Sequence, residues 1–282
     1  IFFKIKPSLG INNNIILNMN ISILGYGNLG RSIANGLKSF DSLKKLYVTK
    51  KDIENLRHSI EDKKCILSSD NLNAVSNSSI IFLTVQPKQF KGLAKEIKTH
   101  INSDQIIISP ITGISIKDLE DEFGKDKKII RCMTNTAVAV KHAVTCICSN
   151  KTGKNSIEIV ENIFKKLGHT MIIEEKNMQA ATVISASGIA FWMRLIRATA
   201  QGGVQLGFES KQALEMSLMT SLGAAKLLEV NQSHPEDEID KVTTPNGCTI
   251  EGLIEMEHQG LSSALIKGIE KSFDKINLMK KE

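Results

Sequence analysis

Short runs of β-branched and other apolar residues alternate with segments of helical periodicity between Met19 and Glu175. The strand-like runs occupy residues 20–25, 44–50, 65–67, 79–85, 104–111, 127–135 and 142–150. The helix-like segments occupy residues 30–40, 52–60, 88–101 and 155–168, and residues 71–78 form a helix or a turn. Strands that alternate with helices form right-handed βαβ units. The pattern therefore predicts an α/β domain at residues 19–175 with a mostly parallel sheet.

The pattern changes after Glu175, where long segments lack strand-like alternation. Residues 190–208 and 211–230 are rich in Ala and Leu and apolar on nearly all sides, so the domain or a second subunit must cover more than one face. Further on, one apolar stripe follows helical spacing and comprises Leu261, Leu265, Ile269, Phe273 and Ile276. An all-helical domain is therefore predicted at residues 176–282.

The first residues differ from the rest. Residues 1–18 precede Met19, and the chain begins without methionine. They lack the ordered basic, apolar and small-residue regions of a signal peptide. We expect residues 1–18 to be translated upstream sequence or an artificial addition, and the folded domain to begin at Met19.

Composition excludes several classes of partner. The chain has 282 residues, of which 41% are apolar and 5% aromatic, and a net charge of +6 from dispersed lysines. A nucleic-acid surface needs basic clusters with stacking rings, so we expect no nucleic-acid partner. No apolar run approaches the roughly 20 residues of a membrane helix, so we expect no membrane partner. The mild basic surplus suits anionic small molecules.

The cysteines indicate a reducing compartment. There are five, an odd number, and none has Cys-x-x-Cys spacing. Cys146 and Cys148 come nearest to a metal or redox pair, but one residue between them does not match a usual zinc spacing. We expect reduced thiols, a cytoplasmic location and no metal.

A glycine-rich segment follows the first predicted strand and opens a helix. Gly25, Gly27 and Gly30 have G-x-G-x-x-G spacing. In this context Gly25 permits a tight turn, Gly27 lets the backbone approach a pyrophosphate, and Gly30 lets helix and strand pack closely. The helix N-terminus then presents free N–H groups to the phosphates. The interpretation is a dinucleotide site; the alternative is a glycine turn without a ligand.

The end of the second strand bears on which dinucleotide binds. An NAD site usually has Asp or Glu there to hold the ribose diol. This chain has Thr49, Lys50 and Lys51, with Asp52 only afterwards. A hydroxyl and two ammonium groups suit a 2′-phosphate better, so NADPH is favoured and NADH is the alternative. The alternative is that these lysines are only solvated charges in a loop.

Two more strands end in turns suited to a ligand. Thr84, Val85, Gln86 and Pro87 follow one strand, and Ile111, Thr112 and Gly113 follow the next. Pro87 stops the hydrogen-bond ladder. In an open parallel sheet, ligands bind at this carboxyl edge.

A polar corner near the C-terminus also suggests a ligand. "KVTTPNGCTIEGL" passes through Pro-Asn-Gly into a predicted helix, with Thr249 as the expected N-cap and Glu251 in the first turn. Free N–H groups near Cys248 and Thr249, with the Thr244 and Thr249 hydroxyls, suit a small carboxylate. An ordinary capped turn is the alternative.

The stretch from Met19 to Met279 resembles the pyrroline-5-carboxylate reductases. The most specific match is residues 242–249, which follow the family pattern V-[ST]-[ST]-P-G-G-x-T with Asn246 at the first Gly. Other matching segments are "ILGYGNLGRSIANGL", "FLTVQPKQF", "SPITGIS", "IIRCMTNTAVAV" and "SASGIAFWMRLIRATAQGGVQLG". The resemblance implies a Rossmann-like domain followed by a helical dimerisation domain, in a homodimer or a larger ring of dimers.

The resemblance also implies an activity and its site residues. The implied reaction is reduction of 1-pyrroline-5-carboxylate, a cyclic imine carboxylate, to L-proline with NADPH, and Thr249 is the implied catalytic residue. The substrate-binding positions fall on Glu175, Val242, Thr244, Gly247, Cys248 and Thr249. The cofactor-binding positions fall on Leu24, Gly25, Tyr26, Gly27, Asn28, Leu29, Thr49, Lys50, Asn71, Thr84, Val85, Gln86, Pro87, Ile111, Thr112 and Lys241.

Three departures from the family pattern leave alternatives open. Gln86 replaces the Lys of V-K-P, Thr134 and Ala137 replace both prolines of P-N-T-P, and Ile189 and Phe191 alter S-G-P-A-Y. A paralogue that reduces another cyclic imine and a non-catalytic NADP-binding sensor therefore remain alternatives. A β-hydroxyacid dehydrogenase is disfavoured, because the helix that should carry its catalytic Lys has arginines instead, Arg194 and Arg197.

Overall fold

A computed structural model describes residues 19–53 and 63–279. Residues 1–18 and most of the helix predicted at residues 52–60 lie outside these ranges. By contacts the chain forms two compact units, one of residues 19–187 together with the end of the last helix from Phe273, and one of residues 188–272.

The first unit is built on one sheet of eight strands. These are β1 (Met19–Leu24), β2 (Leu43–Thr49), β3 (Cys65–Ser68), β4 (Ile80–Leu83), β5 (Ile106–Ser109), β6 (Lys128–Met133), β7 (Ala143–Ser149) and β8 (Gly168–Ile172). Their order is β3-β2-β1-β4-β5-β6-β7-β8, and every neighbouring pair is parallel except β6 and β7. The mostly parallel sheet is confirmed.

Helices cover the sheet on both faces, and buried strand residues fill the space between the layers. The helices of this unit are α1 (Asn28–Lys38), α2 (Asn71–Ser76), α3 (Phe90–Ile97), α4 (Ile116–Phe123), α5 (Ile157–Lys165) and α6 (Met178–Ala181). One face packs Ile23, Phe82 and Phe164 in its core, and the other packs Leu83, Phe90 and Phe123. Burial on both faces explains why the strands read as continuous apolar runs.

The second unit is all-helical. It contains α7 (Gly188–Gln205), α8 (Ser210–Asn231), α9 (Pro235–Val242), α10 (Cys248–His258) and most of α11 (Leu261–Met279). Helices α7 and α8 pack together, and a Cβ at Gly203 would lie 3.0 Å from the Ala213 Cβ. Much of their remaining apolar surface is exposed, including 65% of Trp192, 59% of Met193 and 57% of Leu222. These faces need a cover, as their sequence predicted.

A six-residue π-helix, Thr182–Ser187, connects α6 to α7. The helical stretch Glu175–Gln205 around it is long and apolar enough to cross a membrane by length and composition alone. One such helix is weak support for a membrane span, because core helices have the same composition.

Candidate active site

The glycine turn between β1 and α1 is sterically restricted. Gly25 has φ +109°, and a Cβ there would lie 2.9 Å from the backbone carbon and oxygen of Thr84. A Cβ at Gly30 would overlap the carbonyl oxygen of Gly25. Only glycine therefore permits the turn and the close approach of helix and strand.

Gly27 differs, because a Cβ there would meet nothing within 4 Å. It is the N-cap of α1, whose first turn has no side-chain cap and no acidic residue. No side chain therefore caps the first N–H groups of α1, and the space beside Gly27 is open. This arrangement fits a pyrophosphate, which needs close backbone approach and unpaired N–H donors.

Hydrogen bonds join the ends of β1, β2 and β4 around this turn. The Thr84 hydroxyl donates to the carbonyl of Gly25 at 2.6 Å, and the Gly25 N–H donates to the carbonyl of Thr49 at 3.1 Å. The Thr49 hydroxyl donates to Asn71 Oδ1 at 2.6 Å. Thr49, Asn71 and Thr84 are thus brought together as expected, although the hydroxyls of Thr49 and Thr84 are engaged with the protein.

Besides Thr49, three predicted cofactor positions bury their side chains. Leu24 and Ile111 lie in one apolar core and Tyr26 in the other. Burial raises the pKa of Tyr26, although the Arg31 guanidinium, 5.4 Å from the ring centroid, opposes the rise. These residues can offer a ligand little beyond their backbone.

Other predicted cofactor positions are accessible. Asn28, Gln86 and Pro87 are exposed, and Leu29, Lys50, Val85 and Thr112 are half-buried. Strand β4 ends at Leu83, and Pro87 begins a short 3₁₀-helix in which the Gln86 N–H donates to Gln89 Oε1 at 3.1 Å. The strand therefore ends before Pro87, which starts the turn.

The loop after β6 contains a residue that the sequence did not single out. Asn135 Oδ1 accepts from the Ala137 N–H at 3.0 Å, and Asn135 Nδ2 donates to the carbonyl of Ser185 in the π-helix at 3.0 Å. A proline at position 137 would have no N–H to donate. The departure from the family pattern at Ala137 thus gives this loop a hydrogen bond that proline could not make.

Glu175 has partners inside its own unit. Its Oε1 accepts from the Ile116 N–H at 2.7 Å and from Arg131 Nη1 at 2.9 Å. Arg131 is 2% exposed, and its Nε has no hydrogen-bond partner. The carboxylate is therefore the counterion of a buried guanidinium. Its expected role as a substrate contact stays a prediction.

The polar corner is a tight turn followed by α10. The Gly247 N–H donates to the carbonyl of Thr244 at 2.9 Å, and Asn246 has φ +58°. Pro followed by a residue with positive φ is the pattern of a type II turn, which favours Gly or Asn at the second position. Asn246 therefore replaces the family glycine without losing the turn.

One prediction about the corner was wrong. The N-cap of α10 is Gly247 rather than Thr249, and Gly247 offers no side chain to cap the helix. Thr249 lies one residue inside the helix, because the turn already ends at Gly247. Thr244, Cys248 and Thr249 are exposed, and the first N–H groups of α10 have no side-chain cap.

Val242 and Lys241 lie at the end of α9. Val242 is 63% exposed. Lys241 Nζ donates to Glu238 Oε1 at 2.8 Å, and Glu238 also accepts from Ser233 and Asn231. These partners, Lys241 first, lower the pKa of Glu238 to about 2. The expected role of Lys241 as a cofactor contact stays a prediction.

A glycine turn that opens a helix at the carboxyl edge of a parallel sheet, followed by a helical unit, defines an NAD(P)-dependent oxidoreductase of two domains. Pyrroline-5-carboxylate reductase 2 from Dictyostelium discoideum is 39% identical over 275 residues, which are 92% of each chain. The chain therefore belongs to the pyrroline-5-carboxylate reductase family.

Other comparisons agree. Pyrroline-5-carboxylate reductase 1 from Dictyostelium discoideum is 40% identical over 90% of this chain, which spans 49% of that protein. The Aquifex aeolicus pyrroline-5-carboxylate reductase is 34% identical over 93% of this chain and 97% of its own. Residues 175–279 match the family described as pyrroline-5-carboxylate reductase dimerisation, and residues 20–113 match that described as NADP oxidoreductase coenzyme F420-dependent.

Solved structures have the same fold. The Streptococcus pyogenes 1-pyrroline-5-carboxylate reductase superposes with a TM-score of 0.84 at 27% identity, over 94% of this chain and 99% of that one. The Plasmodium falciparum pyrroline carboxylate reductase with NADP bound superposes with a TM-score of 0.85 at 24% identity, over 93% of this chain and 98% of that one. The predicted α/β domain followed by a helical dimerisation domain is confirmed, and the dimerisation domain supports a homo-oligomer.

Proposed function

We propose that this protein reduces 1-pyrroline-5-carboxylate to L-proline with NADPH as its preferred cofactor. NADH is the less favoured cofactor. The observation that carries the proposal is the corner, where a Pro-Asn-Gly turn leads into the uncapped first turn of α10 beside the exposed hydroxyl of Thr249. In a chain of this family, that corner suits the carboxylate of a cyclic imine.

The residues have distinct roles in the proposed reaction. The N–H groups of Cys248 and Thr249, which follow the Gly247 N-cap, hold the substrate carboxylate, and Thr244 adds a hydroxyl. The exposed Val242 offers an apolar surface to the ring carbons. Thr249 positions the imine nitrogen by a hydrogen bond and, secondarily, supplies the proton that the nitrogen gains; water is the other donor.

The nucleotide belongs at the carboxyl edge of the sheet. The backbone at Gly27 and the first turn of α1 hold the pyrophosphate, and the ends of β2, β4 and β5 hold the rest. When bound, the reduced nicotinamide supplies the hydride that the imine carbon accepts. Because the protonated imine, an iminium, is strongly electrophilic, the chain has to orient the reactants more than activate them.

We also propose a cytoplasmic location and a homodimer that assembles into a larger ring. The exposed apolar faces of α7 and α8 support the dimer, because these helices need a second subunit to cover them. Sedimentation of the full chain tests the assembly, and a monomer would contradict it.

Variants of Thr249 test the proposed site. Initial rates with 1-pyrroline-5-carboxylate are measured for the full chain and for Thr249→Ser and Thr249→Ala. We expect Thr249→Ser to keep most activity and Thr249→Ala to lose about 10-fold or more in kcat/KM, because both variants lack the methyl group and only Thr249→Ala also lacks the hydroxyl. Equal rates for all three proteins would contradict the role of Thr249.

A further inference from the structure

The side-chain amide of Asn71 is held from both sides. Its Nδ2 donates to both carboxylate oxygens of Glu96, at 3.1 and 3.2 Å, and its Oδ1 accepts from the Thr49 hydroxyl at 2.6 Å. An ionised carboxylate can only accept hydrogen bonds, so the amide must turn its amino group toward Glu96. The two partners therefore favour one orientation of Asn71.

This amide is linked directly to the glycine turn. Thr49, the last residue of β2, accepts the Gly25 N–H through its carbonyl at 3.1 Å. Thr49 is only 2% exposed, whereas Asn71 is half-buried. A ligand at the end of β2 therefore meets Asn71 more readily than Thr49. In dinucleotide folds, the end of this strand holds the adenosine ribose.

Glu96 brings a negative charge to this position. It is exposed on α3, and both of its carboxylate oxygens accept from Asn71 Nδ2. The two oxygens of a carboxylate are close enough together to share one amide hydrogen, so the second hydrogen of the amino group can donate to a ligand. An acceptor on that second hydrogen would lie roughly 5–7 Å from the Glu96 carboxylate, given ordinary hydrogen-bond lengths. A ribose diol is neutral there, whereas a 2′-phosphate is repelled by the carboxylate.

We infer that Glu96 determines how strongly this protein distinguishes NADPH from NADH. It does so as a positioning residue: it fixes the Asn71 amide, and its charge opposes a 2′-phosphate that Lys50 and Lys51 attract. The inference rests on the proposed function, because it needs the adenosine end of a dinucleotide at β2. Removing the charge of Glu96 raises the preference for the 2′-phosphorylated nucleotide.

Direct binding of cofactor fragments tests this without turnover. Adenosine diphosphate ribose and its 2′-phosphorylated form are titrated calorimetrically into the full chain. Glu96→Gln removes the charge but keeps an acceptor for Asn71. We expect the ratio of its affinity for the 2′-phosphorylated fragment to its affinity for the unphosphorylated one to rise about 3- to 10-fold over the wild-type ratio. Glu96→Leu removes the acceptor as well, so its affinities for both fragments fall below those of Glu96→Gln.

Glu158→Gln is the matched control. Glu158 is exposed on α5, which packs on β7 and β8, so this variant has the same net charge as Glu96→Gln without a change near Asn71. Its affinity ratio stays at the wild-type value. Added salt reduces the gain in Glu96→Gln, because the effect is electrostatic.

Two results overturn the inference and differ in meaning. If the wild type binds both fragments and Glu96→Gln has an unchanged ratio, Glu96 does not determine specificity, while the nucleotide site stands. If the wild type binds neither fragment, the proposed nucleotide site itself is absent, and the role of Glu96 is overturned with it.

Discussion

The carboxylate of Glu175 lies 2.9 Å from the guanidinium of Arg131, a side chain that is only 2% exposed. The same carboxylate oxygen accepts the N–H of Ile116, the first residue of α4. Glu175 thus joins β6 to the start of the helix that follows the Ile111–Gly113 turn. This relationship gives the residue a structural task besides the substrate contact that the family resemblance implies.

Glu175→Gln separates these two roles. The amide oxygen can still accept the Ile116 N–H, but Arg131 loses its counterion, so the free energy of unfolding falls by roughly 2–3 kcal/mol. Adding Arg131→Met recovers part of that loss, because no buried charge is left unpaired. Denaturant unfolding of both variants measures this. A raised KM for the imine in a stably folded Glu175→Gln would instead support the substrate contact.

The glycine turn offers a matched pair of alanine variants. Gly25→Ala places a methyl group against the backbone of Thr84 at a positive φ, so it destabilises the fold by about 1–3 kcal/mol. Gly27→Ala meets open space and changes the stability by less than about 1 kcal/mol. It nevertheless weakens dinucleotide binding about 10-fold, because the methyl group occupies the pyrophosphate position. Calorimetric NADP⁺ titration checks this, and undiminished affinity in Gly27→Ala would place the pyrophosphate elsewhere.

The turn at the corner depends on the backbone of Asn246. Its φ of +58° is tolerated by Asn and Gly but costs other residues about 1 kcal/mol. Asn246→Gly therefore keeps the KM for the imine near the wild-type value, whereas Asn246→Ala raises it several-fold. Steady-state kinetics of the two variants provide the check. Equal KM values would show that the turn does not shape the substrate site.

Thiol reactivity tests the environment of the cysteines. Burial raises the pKa of the Cys132, Cys146 and Cys148 thiols, that of Cys148 to about 12, and Cys248 is exposed. At pH 8, iodoacetamide should therefore label Cys248 rapidly and spare these three until the chain unfolds. Peptide mass spectrometry identifies the labelled sites, and early labelling of Cys132 would contradict the packing.

The same thiols make stability depend on pH. A thiol whose pKa is raised in the folded state makes its full contribution to the free energy of unfolding below its unfolded pKa of about 8.5. That contribution is lost as the pH rises from there toward the folded value, about 12 for Cys148. The free energy of unfolding therefore falls above about pH 9, and a Cys148→Ala variant loses part of that slope.

Much of the α/β domain could be predicted because its pattern is local. The strands are buried on both faces and read as continuous apolar runs, and the glycine spacing has a steric cause that the structure shows at Gly25 and Gly30. Strand β8 could not be predicted, because it is partly exposed and carries His169 and Thr170. Helix α4 was missed because it spans eight residues, five of them charged.

The parts of the site that escaped prediction depend on distant contacts. Asn135 bonds to Ser185, and Glu96 to Asn71, across separations of 50 and 25 residues. No periodicity or spacing encodes such pairs. The N-cap of α10 was misplaced because a threonine is usually a better cap than a glycine, and here the type II turn ends at Gly247.

The most direct measurement is oxidation of NADPH by the full chain with 1-pyrroline-5-carboxylate, with proline quantified in the same samples. We expect one proline to form per NADPH oxidised, and turnover with NADH to be slower. NADPH binding without proline formation from this imine would contradict the proposed reaction and favour a different imine or a sensor role.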